Sequence, residues 1–183
     1  MRRLVLIGIG VFAMSGSALA QAPAGNFDAA LAAAPANMRE GAMVIKWKAD
    51  GTYDTLRPGT NRLVCYDQSG EPSEQPFSSQ CTSVGNLERV KQNKQFEAKE
   101  ADRAKREAAL AELEKAGTRV KPEFGSVFYT VSGKDQASAR RHVTIAVPGA
   151  TTATLGLPDN GKQGGAWIMG AGTSGAHIMT PGS

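Results

Sequence analysis

The sequence is poor in the side chains from which most catalytic and metal sites are built. Its 183 residues include two cysteines and two histidines, and aromatic residues make up 6%. It contains no C-x-x-C pair and no H-E-x-x-H motif, the close spacings typical of redox-active thiols and of zinc enzymes. We therefore predict no catalytic residues and no cofactor from motifs alone.

Neither positively nor negatively charged residues are in large excess. The chain carries 21 Lys and Arg against 17 Asp and Glu, a formal net charge of +4. Without Arg2 and Arg3, which lie in a predicted signal peptide, 19 positive residues face 17 negative ones and the net charge falls to +2. No basic cluster is interleaved with aromatic residues, so nucleic-acid binding is not predicted.

Long hydrophobic runs are also lacking. The longest, residues 4–14, has eleven residues, whereas a membrane-spanning helix needs about 20. It follows two arginines and precedes small residues that end in Ala18 and Ala20 with one residue between them, the order typical of a secretory signal peptide. We expect residues 1–20 to be removed. Residues 21–183 would then form a single exported domain, periplasmic or secreted, with no stable membrane span.

The two cysteines, Cys65 and Cys81, both lie in the predicted exported part. Thiols oxidise outside the cytoplasm, so the preferred interpretation is one structural disulfide. It would close the polar segment 67–80, which is predicted to be a loop, and stabilise the fold by about 3 kcal/mol. A redox or metal-binding pair is the alternative, although the spacing does not favour it.

Alternation of apolar and polar residues predicts several short strands and no regular β-α order. The fold class expected is α+β, with an antiparallel or mixed sheet of about six to seven short strands, one long charged helix and a short N-terminal helix over residues 27–34. The predicted strands are residues 43–49, 52–56, 63–66, 127–131, 142–147, 166–169 and 176–180. Asp50 and Gly51 predict a hairpin-type turn between the first two.

The long helix is predicted over residues 87–116, a segment without Gly or Pro that is dense in Ala, Glu, Lys and Arg. Asn86 is its expected N-cap and Gly117 its expected C′ residue. Its apolar stripe consists mainly of alanine, so the helix either lies on the sheet as a solvated element or projects from it. In the second case it would bind a protein or envelope partner.

A glycine-rich segment near the C-terminus matches G-x-G-x-x-G at Gly170, Gly172 and Gly175. A dinucleotide site needs a helix after this motif and an acidic residue about 20 positions further on. Only eight residues follow Gly175. The segment is therefore predicted to be a tight turn between two strands, and Ser174 within it a turn serine rather than a nucleophile.

The two histidines, His142 and His177, each stand at the start of a predicted strand. If those strands were neighbours, both imidazoles would meet on one face. Together with Asp159, Asp135 or Glu123 they would then have the chemistry of a zinc site. The simpler alternative is that each ring hydrogen-bonds nearby backbone.

The tryptophans, Trp47 and Trp167, are expected to anchor the core or its edge. If they are exposed together with Tyr53, Tyr66 or Tyr129, they would instead form a surface for a carbohydrate or a peptide. The sequence alone does not separate these interpretations.

Two segments resemble a group of small exported bacterial proteins of unknown function. They are residues 57–65 (RPGTNRLVC) and 164–181 (GGAWIMGAGTSGAHIMTP). The group pattern has a G-T-N segment leading to a Cys, a strand that begins with His, and a closing segment of this form. The resemblance implies a compact secreted domain and favours His142 and His177 as a candidate site, to which we add Trp167 of the closing segment. It implies no known reaction. The group pattern also has a helical middle segment, and the charged helix predicted here is longer than that segment.

The leading functional prediction is a non-enzymatic binding or envelope-associated protein, because no catalytic constellation is present. The first alternative is a small metal-dependent or hydrolytic secreted enzyme that uses His142 and His177. The second is a carbohydrate or peptide binder that uses its tryptophan and tyrosine rings.

Overall fold

The computed structural model describes residues 26–72 and 74–181. Within that part, eight strands form one mixed sheet accompanied by four helices, which confirms the α+β class but exceeds the six to seven strands predicted. The strands are β1 (Met43–Trp47), β2 (Tyr53–Arg57), β3 (Leu63–Asp67), β4 (Phe77–Ser83), β5 (Val127–Gly133), β6 (Arg140–Ala146), β7 (Trp167–Met169) and β8 (His177–Met179). The helices are α1 (Asp28–Leu31), α2 (Leu87–Lys99), α3 (Arg103–Lys115) and α4 (Thr152–Leu155). The predicted signal peptide, with Ala18 and Ala20, lies outside the described residues.

The strands lie in the order β2-β1-β3-β4-β5-β6-β8-β7. Neighbouring strands are antiparallel except β1 and β3, which are parallel. The predicted turn between β1 and β2 is confirmed at Gly51, which has φ +80° and donates its N–H to the Lys48 carbonyl at 3.0 Å. The order places β4 inside the sheet and makes α2 and α3 part of its connection to β5.

Strand β4 corrects the prediction of a loop over residues 67–80. Its sequence is FSSQCTS, and Ser78 and Ser79 are fully buried although they are polar. The Ser79 hydroxyl donates to the Ala30 carbonyl of α1 at 2.8 Å, and the Ser78 hydroxyl donates to Glu74 at 2.7 Å. Buried hydroxyls with partners are stable inside a sheet, but they leave no hydrophobic alternation by which the strand can be recognised.

The predicted disulfide between Cys65 and Cys81 is confirmed. The two residues face each other directly on β3 and β4, with their Cα atoms 4.1 Å apart. The bond therefore links two adjacent strands inside the core. It does not close a free loop over residues 67–80, which is what the sequence predicts. Both cysteines are fully buried in the cluster that packs against α1.

Helices α1 and α2 cover opposite faces of the sheet. Val64 and Cys65 are neighbours in β3, so their side chains point to opposite faces, and both are fully buried. Cys65 belongs to the cluster that contains α1 residues, whereas Val64 belongs to the cluster that contains Leu87 and Val90 of α2. The centre of the sheet is therefore buried on both sides.

The prediction of one helix over residues 87–116 is wrong, because the segment forms two helices separated at residues 100–102. Glu100 has extended backbone angles, φ −139° and ψ 111°. The Asp102 carboxylate then accepts a backbone N–H of the first turn of α3 at 2.9 Å, as an N-cap. Arg106 reaches back and donates to two carbonyls of the break at 2.9 and 2.8 Å. Side-chain capping thus ends and restarts the helix without Gly or Pro.

The two halves of the predicted helix differ in burial. Leu87 and Val90 of α2 pack against the sheet, but α3, which is described in full, has no buried side chain. Gly117 follows α3 with φ +68°, the left-handed conformation expected of a C′ residue. Asn86 does not cap α2 with its side chain, which instead donates to Thr82 Oγ1 at 2.7 Å.

Candidate functional site

The structure places the two candidate histidines on neighbouring strands but does not bring them together. In β8, His177 pairs with Ala146 of β6, and His142 lies four residues earlier in β6. Side chains two positions apart share a face of a strand, so both imidazoles lie on the same side of the sheet. Four residues of strand correspond to about 13 Å. A site that needs both rings at one point is therefore not assembled here.

Trp167 lies nearer to His177. In the β7–β8 hairpin, Trp167 pairs with Met179 and His177 pairs with Met169, so Trp167 and His177 lie on one face two positions apart. The Trp167 indole packs closely on the backbone of Gly161, where a Cβ atom would lie 3.0 Å from Nε1. The glycine-rich segment between the strands is a turn, as predicted.

The acidic residues considered as metal ligands have other partners. Glu123 pairs with Arg62 at 2.5 Å. Asp135 accepts the Ser138 hydroxyl at 2.8 Å, and Asp159 accepts the side-chain N–H of Asn160 at 3.0 Å. Across residues 26–72 and 74–181, no group of three or more His, Cys, Asp or Glu side chains is placed to hold a metal ion.

His177 instead lines a cavity of about 230 Å³ between α2 and the sheet, which we call the arginine pocket. The polar lining residues are Arg89, Asn93, Thr144 and His177. Pro122 and Phe128 contribute to an apolar wall. Arg89 and Asn93 are four positions apart on α2 and therefore share one helix face. The pocket thus combines a cationic side with an apolar side.

Arg89 connects α2 to two distant segments. Its Nη1 atom donates to the Val120 carbonyl at 2.5 Å and to the Ser174 hydroxyl oxygen at 2.9 Å. Both acceptors are uncharged, so neither neutralises the guanidinium. Burial, opposed by the attraction of Glu114, lowers the Arg89 pKa. Arg89 stays cationic at neutral pH, because an arginine pKa starts above about 12.

A second arginine, Arg119, lies beside the first and is 7% exposed. It donates hydrogen bonds to the side-chain oxygens of Gln92 and Asn93, which are neutral amides. Burial, together with repulsion from Arg89, lowers its pKa to about 10. Arg119 therefore also keeps its charge at neutral pH. The Asn93 amide, which lines the pocket, is held in place by this contact.

One carboxylate, that of Glu114 in α3, accompanies the two guanidinium groups. It accepts the Ser174 backbone N–H at 2.5 Å and the Ser174 hydroxyl at 2.6 Å. Desolvation raises its pKa, but the hydrogen bonds from Ser174 and the attraction of Arg89 and Arg119 outweigh that effect and lower it. Glu114 is thus ionised at neutral pH. Two positive charges thus lie near one negative charge, and of the three residues Arg89 lines the pocket itself.

Gly175 makes room for the cationic side of the pocket. A Cβ atom on this residue would lie 3.2 Å from Nη2 of Arg89, closer than ordinary van der Waals contact. A larger residue would therefore push the guanidinium aside. The requirement for a small residue here comes from Arg89 and not from backbone angles, since Gly175 does not have a positive φ.

The His177 ring is held at the edge of the same pocket. Its Nδ1 atom lies 2.8 Å from the Gly175 carbonyl oxygen. A carbonyl oxygen only accepts, so Nδ1 carries the hydrogen in this contact. In the neutral ring, Nε2 is then left as an acceptor, and it becomes a donor when the ring is protonated.

Two larger cavities are less suited to a ligand. One of about 370 Å³ contains Glu123, which is paired with Arg62. One of about 650 Å³ contains Arg39 and Arg141, but both arginines donate to carbonyl oxygens that follow α1. The Glu123–Arg62 pair balances the charge of the first cavity, and the described lining of the second has no aromatic side chain, whereas the arginine pocket has Phe128 beside Arg89.

Sequence reasoning missed both arginines of this site. Arg89 was counted among the charges of a solvated helix face, and Arg119 lies in a connection after α3. No motif marks them, because their partners come from four separate segments of the chain. Of the pocket lining, the sequence singled out His177 as a candidate site residue and Gly175 as part of the glycine-rich turn.

Within the described residues, no helix is long and apolar enough to cross a membrane. Comparison of the chain with known protein families, with curated proteins and with solved structures finds no match.

Proposed function

We propose that this chain is an exported, non-enzymatic binding protein that holds a small carboxylate in the arginine pocket. The observation that carries the proposal is the charge excess, in which Arg89 and buried Arg119 face the single carboxylate of Glu114. A buried cation without an ionised partner is costly. An anionic ligand would remove that cost, and the ligand would be held by charge-assisted hydrogen bonds.

The size and lining of the pocket support a small ligand with an apolar end. A volume of about 230 Å³ corresponds to about eight non-hydrogen atoms, at roughly 30 Å³ each. Asn93 and Thr144 offer hydrogen-bonding groups beside Arg89, and Phe128 provides apolar contact. A short-chain monocarboxylate fits this combination. Inorganic phosphate shares the anionic chemistry but has no use for the apolar wall.

A hydrolytic alternative is not favoured by any contact at this site. The Ser174 hydroxyl donates to Glu114 and accepts from Arg89, and its residue is 3% exposed. In the described chain its hydroxyl makes no hydrogen bond to His177. Ser174 thus acts as a connector between α2, α3 and the β7–β8 turn.

Exported location is part of the proposal. It is supported by the signal-like order of residues 1–20 and by the disulfide between Cys65 and Cys81, since such bonds persist in oxidising compartments. The solvated helix α3 remains the surface proposed for a protein or envelope partner, because it has no buried side chain.

The test is calorimetric titration of the mature protein with butyrate, with butanol and with inorganic phosphate. We expect saturable binding of butyrate and none of butanol. Arg89→Gln should weaken butyrate binding by about tenfold or more, the effect of losing one charge-assisted hydrogen bond. Arg103→Gln is the matched control, because that arginine is exposed on α3, far from buried contacts, and it should bind as the wild type does.

Equal binding of butyrate by Arg89→Gln and by wild type would overturn the proposal, as would no binding by the folded wild type. If Arg89→Gln loses its cooperative thermal transition, the same butyrate titration is made with Thr144→Val. This change removes a pocket hydroxyl at nearly constant volume. An unchanged butyrate affinity in Thr144→Val would count against binding in the arginine pocket.

A further inference from the structure

A second candidate site lies around Trp47, at the opposite end of α2 from the arginine pocket. The Trp47 ring meets Tyr53 edge-on, with ring centres 5.4 Å apart, and Tyr66 in the same manner at 5.9 Å. The Lys94 ammonium of α2 lies 5.9 Å from the Trp47 ring centre and 5.7 Å from that of Tyr66. Trp47 forms the aromatic wall of an adjoining cavity, beside Lys94, whereas Tyr66 is fully buried.

The Trp47 indole N–H is unusual in this structure. Among residues 26–72 and 74–181 it is the one buried side-chain polar atom with no hydrogen-bond partner. Buried polar groups are almost always hydrogen-bonded, so an unpartnered donor calls for an explanation. A ligand that supplies an acceptor oxygen is one such explanation. Because the atom is also shielded from solvent, the ligand oxygen reaches it once the indole or a neighbouring side chain shifts on binding.

Trp47 also lines a cavity of about 320 Å³, which we call the tryptophan pocket. The charged residues of its lining are Lys48, Glu71, Lys94 and Glu97. The volume corresponds to about eleven non-hydrogen atoms at roughly 30 Å³ each, which is close to one hexose ring. The pocket therefore has space for a ligand beside the aromatic wall.

The charges of the tryptophan pocket balance and are mostly paired. Lys94 pairs with Glu71 at 2.5 Å, and Lys48 pairs with Asp54 at 2.6 Å. An anion would be repelled by Glu71 and Glu97, and a cation would meet the ammonium group already placed over the rings. A neutral ligand with many hydrogen-bonding groups suits this lining best.

We propose that the tryptophan pocket binds a saccharide. A sugar ring presents an apolar C–H face that packs on an indole ring. Its hydroxyl and ring oxygens accept from the Trp47 N–H, and its hydroxyls donate to the Glu97 carboxylate. This inference is independent of the carboxylate site.

The experiment uses the protein with Trp167→Phe, which leaves Trp47 as the sole tryptophan, since the chain has two. Glucose and N-acetylglucosamine are titrated while indole fluorescence is recorded, with acetate and tetramethylammonium as charged controls. We expect a saturable change with at least one sugar, in the millimolar range typical of single-ring ligands, and none with the controls. Glu97→Gln should weaken sugar binding by about fivefold, whereas Glu88→Gln, exposed on the same helix, should not change it.

The proposal is overturned if neither sugar gives a saturable change up to its solubility limit while the protein stays folded. It is also overturned if acetate or tetramethylammonium changes the Trp47 fluorescence in place of the sugars. Acetate bound in the arginine pocket, which Trp47 does not line, is not such a result. Trp47→Phe, measured by calorimetry in the wild-type background, keeps an aromatic ring and removes the indole N–H together with the five-membered ring that carries it. Undiminished sugar affinity in that variant would show that the free donor has no part in binding.

Discussion

At the scale of single residues, most buried polar groups of this protein are satisfied by contacts between segments distant in the sequence. Arg89 binds Val120 and Ser174, and Ser174 in turn binds Glu114. Such a network contributes little to the free energy of folding if one member is missing, because the remaining members stay buried and unpaired. The arginine pocket is thus a structural junction as well as a candidate binding site.

The contacts of the Glu114 carboxylate with Ser174 and the two arginines should make the free energy of unfolding depend on pH. Ser174 and the two arginines lower the Glu114 pKa against the opposing effect of burial. A lowered pKa of a carboxyl group contributes stability above its unfolded pKa, and the contribution is lost as pH falls through the folded pKa. Glu114→Gln should therefore be less stable than wild type by about 1 kcal/mol at pH 7, a modest value because the group is largely solvated. The difference should shrink toward pH 3.

Urea unfolding of both proteins at pH 7 and at pH 3 checks this prediction. Other carboxyl groups titrate in both proteins and cancel in the difference. A stability difference that is the same at both pH values would contradict the assignment of charge to Glu114. Glu112→Gln is a suitable control, since Glu112 lies two positions away on α3 and is exposed.

At the scale of secondary structure elements, the break between α2 and α3 is the main departure from the sequence prediction. Helix-forming composition favours one continuous helix over residues 87–116. The Asp102 side chain competes by capping a new start, and Arg106 satisfies the carbonyls left free at the break. The break also turns the chain so that Glu114 reaches Ser174 in the β7–β8 turn.

Substitution of the cap should loosen α3 without unfolding the sheet. Asp102→Ala removes the acceptor of the first-turn N–H and should cost about 1 kcal/mol locally. Because α3 has no buried side chain, amide hydrogens of Arg103–Lys115 should exchange faster while those of β4 are unchanged. Hydrogen-exchange mass spectrometry measures both. Asp102→Asn, which can still cap, should behave like wild type, and slowed or equal exchange in Asp102→Ala would count against the cap.

At the scale of the whole molecule, the sheet is held from its centre outwards. β3 and β4 carry the disulfide, and the two helices α1 and α2 cover their opposite faces. The edge strands are less buried, and β2 in particular has mostly exposed side chains. Global stability therefore depends on the β3–β4 pair more than on the edges.

Removal of the disulfide should lower global stability. The bond closes a span of 16 residues, and restraining a loop of that length in the unfolded chain contributes about 3 kcal/mol. The double variant Cys65→Ala with Cys81→Ala should unfold at correspondingly lower urea concentration than oxidised wild type. A reducing agent should shift the wild-type transition and leave the double variant unchanged. No shift on reduction would show that the bond contributes nothing to the fold.

Much of the fold follows from local patterns. Period-two alternation identified the positions of seven strands, although several of their ends differ by a few residues, and Gly51 and Gly117 marked real turns. Strand β4 was not predicted because three of its four buried residues, Ser78, Ser79 and Thr82, are polar, and their burial depends on hydrogen bonds with other side chains and segments. The arginine pocket was not predicted for the same reason. No local signal in the sequence separates a solvated arginine from one that binds Val120 and Ser174.

The sequence by itself determined the α+β class, the cysteine pair and the order of most elements, because these depend on side-chain periodicity and turn residues close together in the chain. Only the tertiary structure decided that His142 and His177 stand about 13 Å apart along the sheet and that the long helix breaks before Asp102. It also decided that Arg89 lines a pocket in which Arg119 holds the Asn93 side chain. These features depend on strand register and on contacts across dozens of residues. Such contacts are set by the packing of the whole domain and leave no periodic trace in the sequence.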